Sequence, residues 1–288
     1  QFGGHGGRVL RPGDTLPLMA LQHQPATVEL PTAARPFPQQ GNHNWQLHVI
    51  YGPHGAPDFF TDDDITTLFS TDYAVHYNSS RTGVRLIGPK PRWARHDGGE
   101  AGLHPSNIHD NAYAVGTVDF TGDMPVLLGP DGPSLGGFVC PATVIRADLW
   151  KLGQLRPGDT VRFVAVSNET ALLRYAEVQQ SLASISDLLR VADHYRPALP
   201  SIKPDKAIIE QLSLPGGTEL TFRPSGDDFL LLEVGEQTLD IELRLKIHGI
   251  YRVMLARAIA GILELTPGIR SLQVHYQPEV IDRATLVA

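Results

Sequence analysis

Arg156-Pro157-Gly158-Asp159-Thr160-Val161 repeats Arg11-Pro12-Gly13-Asp14-Thr15-Leu16, and the reading of this stretch decides the fold class. Proline presets the first central position of a type II turn, and glycine supplies the positive φ that the second requires. Beyond the second copy Val161, Phe163 and Ala165 share one face at strand spacing, so the turn feeds a strand. Two such turns are expected to close two related β units. Few residues precede the first copy, so residues 1–18 read as the tail of a truncated β unit cut from a longer chain. A common turn arising twice is the plain alternative.

Outward from the second copy the same pattern extends backwards. Leu47, Val49 and Tyr51 alternate, as do Tyr73, Val75 and Tyr77, and Gly and Pro punctuate the stretch, so residues 44–167 read as one unit of short strands. Gly and Pro contribute 28 and 23 of 288 residues, about 18% against a usual ~12%, which favours turn-rich β structure over a helix bundle. Thr61 followed by Asp62, Asp63 and Asp64 predicts a capped helix start. Forwards, Leu173, Ala176, Leu182, Leu188 and Leu189 predict a helix over about 168–191. Pro197, Pro200, Pro204 and Pro215 then mark a linker, so residues 168–218 read as helix and connection.

Residues 219–288 read as a second unit. Glu219 to Phe222 and Phe229 to Val234 are strand candidates around Pro224-Ser225-Gly226-Asp227. Leu239 to Ile247 alternates as a strand does, yet Leu243, Ile247, Ile250 and Met254 also fit a helix. The length of the pattern, to about Leu263, decides for helix. Ser271 to Tyr276 reads as a strand and Pro278 as the first residue of a last helix. This β-β-α-β-α order predicts a small α+β sandwich.

Charge and cysteine content narrow the function classes. The chain has 31 acidic against 24 basic residues, a net charge of −7, so no basic surface for nucleic acid or anionic lipid is implied. The single cysteine, Cys140, excludes an internal disulfide framework and fits a reducing cytoplasm. No apolar run approaches the roughly 20 residues of a membrane span, and Gln1-Phe2-Gly3-Gly4 does not begin a signal peptide. The reading is a cytoplasmic protein with neither nucleic acid nor membrane as partner.

Polar residues concentrate in His104-Pro105-Ser106-Asn107-Ile108-His109-Asp110-Asn111, which carries two imidazoles, two amides, a hydroxyl and a carboxylate. Binding groups gather on such loops, although a merely solvated loop is the alternative. A metal site at His104, His109 and Asp110 is not adopted, since no HExxH or Cys/His set accompanies them. The second candidate is Gly129-Pro130-Asp131-Gly132-Pro133-Ser134-Leu135-Gly136-Gly137. Turn chemistry explains most of it, but not the Gly136-Gly137 pair at a strand start, where backbone N–H groups can form an oxyanion or anion cradle. Arg81 and Arg85 lie four apart on a turn into a strand, with a solvated edge as the alternative.

Three stretches carry a family resemblance. These are Phe2-Gly-Gly-His-Gly-Gly-Arg-Val-Leu-Arg-Pro-Gly-Asp14, His104 to Asp110, and Thr121-Gly-Asp-Met-Pro-Val-Leu-Leu-Gly-Pro-Asp-Gly-Pro-Ser-Leu-Gly-Gly-Phe-Val139. Together they resemble the carboxyltransferase domain of urea carboxylase, the biotin-dependent part of urea amidolyase. More loosely, residues 1–167 resemble the allophanate hydrolase subunit 2 family. Residues 219–288, with Phe222-Arg-Pro-Ser-Gly-Asp-Asp-Phe-Leu-Leu-Leu-Glu-Val-Gly235 and Pro267-Gly-Ile-Arg-Ser-Leu-Gln-Val-His-Tyr276, are similar to the start of the subunit 1 family.

The resemblance implies a mainly β chain, a cyclophilin-like β barrel followed by a small α+β sandwich domain. It implies transfer of a carboxyl group from carboxybiotin to urea, giving allophanate. Biotin would arrive on a separate carrier domain, and ATP and Mg would serve a separate biotin carboxylase domain. Those two domains, urea and allophanate hydrolase are the implied partners. The Met-Lys-Met signature of a biotin carrier is absent, and both family regions are incomplete, so the chain alone is not expected to complete the reaction. Urea's parallel N–H bonds suit a carboxylate such as Asp110 or Asp131, and its carbonyl suits a donor such as Asn107, His109 or a glycine N–H. His104, Ser134, Gly136, Gly137 and Arg81 are the expected substrate-binding residues. Two rival readings remain: a 5-oxoprolinase subunit, with Arg81 facing the substrate carboxylate, and a non-enzymatic binding protein resembling the sporulation kinase inhibitor pair.

Overall fold

The strand-period residues find their partners in a closed barrel. The computed structural model describes residues 8, 11–15, 43–96, 98–183, 206–214 and 216–288. Nine strands precede the long helix: β1 (Asn44–Tyr51), β2 (Asp72–Val75), β3 (Gly83–Ile87), β4 (Asn107–Ala112), β5 (Thr117–Thr121), β6 (Met124–Leu128), β7 (Leu135–Phe138), β8 (Ala142–Val144) and β9 (Thr160–Ala165). Seven of them close in the order β1-β8-β5-β6-β3-β2-β9, and β4 pairs with β7 in a separate two-stranded sheet. Alternation decides which side chains turn inward: Leu47, Val49 and Tyr51, Tyr73 and Val75, Leu86, Val118 and Phe120, Leu127, and Val161 and Phe163 all enter one buried core. Each such side chain contributes about 1.5–3 kcal/mol by leaving water.

Both copies of the repeated turn have the same geometry. Gly13 and Gly158 each sit at φ 95°, the left-handed region a type II turn demands. In each the aspartate closes the turn: Arg11 N donates to Asp14 Oδ2 at 2.7 Å and Arg156 N to Asp159 Oδ2 at 3.1 Å. Their surroundings differ. Asp159 is buried and accepts from the Trp45 indole at 2.9 Å, whereas Asp14 pairs with the exposed Arg8. At Thr61 the expected helix, α1 (Asp62–Ser70), starts with a reciprocal cap between Thr61 and Asp64. Asp64 also accepts from the backbone N–H groups of Arg92 and Trp93, which explains its burial.

After α2 (Leu149–Leu152) and β9 comes α3 (Asn168–Ala183). The remainder of the helix predicted to residue 191 lies outside the described residues, as do Pro197, Pro200, Pro204 and Pro215. The second unit is an antiparallel sheet in the order β10-β11-β12-β14-β13, made of β10 (Glu210–Ser213), β11 (Glu219–Pro224), β12 (Phe229–Val234), β13 (Ile262–Pro267) and β14 (Ser271–Tyr276). Helix α4 (Ile241–Arg257) and helix α5 (Arg283–Val287) pack on one face through Leu243, Ile247 and Val287.

Four elements differ from the sequence reading. Helix α4 stops at Arg257 instead of Leu263, because Ala258 turns left-handed at φ 44° and Gly261 follows at φ 91°. The chain then enters β13, an edge strand whose weak burial leaves little alternation to read. Strand β10 is exposed along its whole length and carries no apolar face at all. The last helix begins after Asp282, whose side chain accepts from Thr285 N at 2.8 Å, rather than at Pro278.

Candidate functional site

The polar stretch and the glycine pair come together. Asn107 pairs with Phe138, Asn111 with Gly136 and Ala112 with Leu135, with an irregularity between the first two pairs. That irregularity breaks strict alternation. Ile108 enters the barrel core, His109 is half-buried, Asp110 is exposed and Asn111 is buried. The glycines are required by close approach. A Cβ on Gly136 would collide with the Tyr113 ring, and one on Gly137 would stand 2.8 Å from Ile108 O and 3.9 Å from Asp110 Oδ1. The Tyr113 ring and the Ile108 carbonyl therefore occupy the space a side chain would need, with the Asp110 carboxylate at its edge.

Other predicted residues divide between this patch and the surface. His104 Nδ1 meets Ser106 Oγ at 2.9 Å and its Nε2 faces Asp123 at 3.3 Å, so the ring is fixed next to the strand. Burial alone would raise the Asp123 carboxyl, but bonds from the Trp93 indole and Lys90 outweigh it and hold the carboxyl below its usual range. Asn107 Nδ2 donates to Gly102 O at 2.7 Å, so that amide braces its own loop. Ser134 accepts from Tyr113 N at 2.9 Å through its carbonyl. Arg81 and Asp131 pair with each other at 3.2 Å on exposed turns, 91% and 53% accessible, which turns both away from a sheltered role.

A buried charge network behind β4 was not legible as a site. Glu233, on β12, accepts from Arg223 and from Arg270, the latter at 2.8 Å. Arg223 continues to Asp58 at 2.7 Å, and Arg270 lies 3.7 Å from Glu100. Glu100 lies 3.5 Å from Arg95 and accepts from His109 N at 3.3 Å. Burial would raise Glu233, but the guanidiniums of Arg270 and Arg223 win and pull its carboxyl down to about 2. His54, packed beside them, is pushed by burial down to about 3 and accepts from Cys140 N as a neutral ring. Arg223 and Arg270 both stand in the two motifs that carry the subunit 1 resemblance; for Arg223 the signal was an arginine inside a strand between Phe222 and Pro224, where an unpaired charge is rarely kept.

Behind the glycine strand Asp119 is buried with Oδ1 unpartnered, and burial pushes its carboxyl up to about 7. Burial likewise raises the Tyr113 phenol and the Cys140 thiol, which leaves that thiol inert.

Both parts of the chain, the β barrel with its separate two-stranded sheet and the antiparallel sheet with helices on one side, are matched by carboxyltransferase families. Residues 1–165 match the carboxyltransferase domain, subdomain A and B, and residues 220–288 match the carboxyltransferase domain, subdomain C and D. The chain belongs to this carboxyltransferase domain family. It is 40% identical over 298 residues to the urea amidolyase of Lachancea kluyveri, covering 100% of this chain and 16% of that protein. The crystal structure of the Kluyveromyces lactis urea carboxylase superposes with a TM-score of 0.75 at 40% identity, over 86% of this chain and 22% of that one. A shorter similarity, 32% over 105 residues, relates 36% of this chain to 31% of a 5-oxoprolinase subunit from Haemophilus influenzae. The chain thus spans about a sixth of the length of the Lachancea relative. Among the described residues no helix is long and apolar enough to cross a membrane.

Proposed function

We propose that this chain carries the carboxyl-transfer site of a biotin-dependent urea carboxylase, which moves a carboxyl group from carboxybiotin to a urea nitrogen and gives allophanate. The observation that carries the reading is the pairing of β4 with β7, which sets His109 and Asp110 beside Gly136-Gly137 in a chain similar over its whole length to urea amidolyase. Urea is flat, with N–H groups that need acceptors and a carbonyl that needs a donor. Asp110 offers an exposed carboxylate for the first. One N–H of the Asn107 amide is committed to Gly102 O, so the donor for the carbonyl is its second N–H, His109 or a glycine N–H.

The exposed Asp110 carboxylate next to the glycine strand offers an acceptor for the ureido N–H groups of biotin as well. When bound, carboxybiotin would supply the carboxyl group and a ring nitrogen able to accept the proton released by the acceptor amide. The chain's own residues hold and orient the acceptor amide, and they stabilise charge that develops on its oxygen. A carrier domain, an ATP- and Mg-dependent biotin carboxylase domain and allophanate hydrolase complete the proposed setting, in the cytoplasm.

Substitution tests this directly. In the full-length biotin-dependent enzyme, Asp110→Ala is expected to lower urea-dependent turnover roughly 100-fold, with a smaller loss for Asn107→Ala. Unchanged turnover in both variants removes the assignment. An acceptor series of urea, acetamide and 5-oxoproline separates the rival enzyme reading, which needs Arg81 for a substrate carboxylate; that guanidinium is instead paired with Asp131.

A further inference from the structure

Strand β4 is held on two sides by different parts of the chain. On one side lies β7. On the other, groups from the second sheet bond to successive positions of β4: Ile269 N donates to Asp110 O at 3.0 Å, Ser271 Oγ to Asn111 Oδ1 at 2.8 Å, and Gln273 Nε2 to Ala112 O at 3.3 Å. The approach is close enough to require glycine, since a Cβ on Gly268 would stand 2.6 Å from Asp110 O and collide with the Ser271 hydroxyl.

Glu100 extends this grip to the start of the strand. Its carboxylate accepts from His109 N and lies between Arg95 and Arg270, while its backbone N–H donates to Asn107 O at 3.1 Å. Arg95 in turn donates to Asn107 O at 3.1 Å and to Pro105 O. Arg270 is fixed from behind by Glu233. The main chain of β4 is therefore bonded at Asn107 and His109 by Arg95 and Glu100, and at Asp110 and Ala112 by Ile269 and Gln273 of the second sheet.

We propose that the turn Gly268-Ile269-Arg270-Ser271, linked through Glu100, is the positioning element of the carboxyl-transfer site, fixing where His109 and Asp110 stand. The inference rests on the reading of β4 as that site. Neither Arg270 nor Glu100 touches substrate; both act through the backbone of β4. Displacement of a reacting group by about 1 Å can cost on the order of 100-fold in rate, so a loosened strand should be visible in kcat.

Glu100 gives the clean test because its substitution leaves Arg270 paired with Glu233 and Arg95 bonded to two carbonyls. In the full-length enzyme, Glu100→Ala is expected to lower kcat for urea about tenfold or more with little change in KM. Glu100→Gln, which keeps an acceptor for His109 N, should restore most of that loss. Hydrogen exchange measured by mass spectrometry should quicken in the peptides containing His109 and Ile269 for the alanine variant and much less for the glutamine variant. Gly268→Ala supplies a second perturbation, at Asp110 O instead of His109 N, and it should reproduce the kcat loss and the faster exchange.

Equal kcat in wild type, Glu100→Ala and Gly268→Ala, alongside a large loss in Asp110→Ala, overturns the positioning role and leaves the site reading standing. Faster exchange with unchanged turnover in all variants, Asp110→Ala included, overturns both. A drop in thermal midpoint without any kcat change at 25 °C would mark Glu100 as a structural residue only.

Discussion

The five-stranded sheet has two buried faces of opposite character. Towards α4 and α5 it presents Leu220, Phe222, Leu230, Leu232, Val234, Leu272, Val274 and Tyr276. Towards the barrel it presents Arg223, Glu233, Ser271 and Gln273, with Arg270 beside them. An apolar face tolerates any neighbour of the right shape, because the hydrophobic effect has no direction. A face of ion pairs and hydrogen bonds accepts one placement, since a shift of the sheet would leave buried charges unpaired. The first face makes the unit fold; the second dictates how β4 meets it.

The largest effect should come from breaking the polar face. Glu233→Ala leaves Arg223 and Arg270 buried without their shared partner, and we expect a loss of about 3–5 kcal/mol in denaturant unfolding. Leu232→Ala on the other face should cost about 2–5 kcal/mol by cavity formation, while leaving urea-dependent kcat near wild type at temperatures where the protein stays folded. Acid distinguishes the faces as well. The Glu233 carboxyl is held down to about 2 in the fold, so its contribution is complete above its unfolded value near 4.5 and disappears as pH falls through about 2. Titrating wild type from pH 5 to pH 2 should therefore erode stability, and Glu233→Gln should flatten the slope.

Asp119 has the opposite sign. Its folded value of about 7 lies above the unfolded one near 3.8, so the fold binds an extra proton between these pH values and loses stability as pH rises through 7. Asp119→Asn should gain on wild type at pH 8 relative to pH 5 by a few kcal/mol, since each tenfold change in proton affinity is worth about 1.4 kcal/mol. Unfolding midpoints at the two pH values read the difference.

The smallest effect belongs to the exposed pair. Asp131→Ala should change stability by less than about 1 kcal/mol, as surface ion pairs do, and leave turnover unaffected. A clear loss of urea turnover would return Asp131 to the site.

Legibility followed the strength of the local pattern. Leu47, Val49 and Tyr51 announce β1 because one side of the strand is core, and Pro-Gly-Asp announces its turn because only glycine sits comfortably at φ 95°. β10 and β13 escaped because edge strands with no buried face look like connection. At the site, residues 104–111 and the glycine pair were visible as unusual composition, and their pairing in β4 and β7 makes them neighbours. The pairing of Arg270 with Glu233 and with Glu100 was not visible, because the first crosses 37 positions of sequence and the second more still. Asp131 and Arg81 were eligible by chemistry alone, and they pair with each other at 3.2 Å on exposed turns.

Strand β1 lies between β8 and β9, joined to the first in antiparallel and to the second in parallel fashion. The Trp45 indole meets Asp159, 114 residues later. A ribosome adding about 5–20 residues per second therefore leaves Trp45, Leu47, Val49 and Tyr51 without either neighbour for on the order of 5–20 seconds. During that interval both rims of a water-averse ribbon are open to other nascent chains, and pairing so distant in sequence closes slowly. Yield of this protein in cells should depend on holding chaperones more than its final stability suggests.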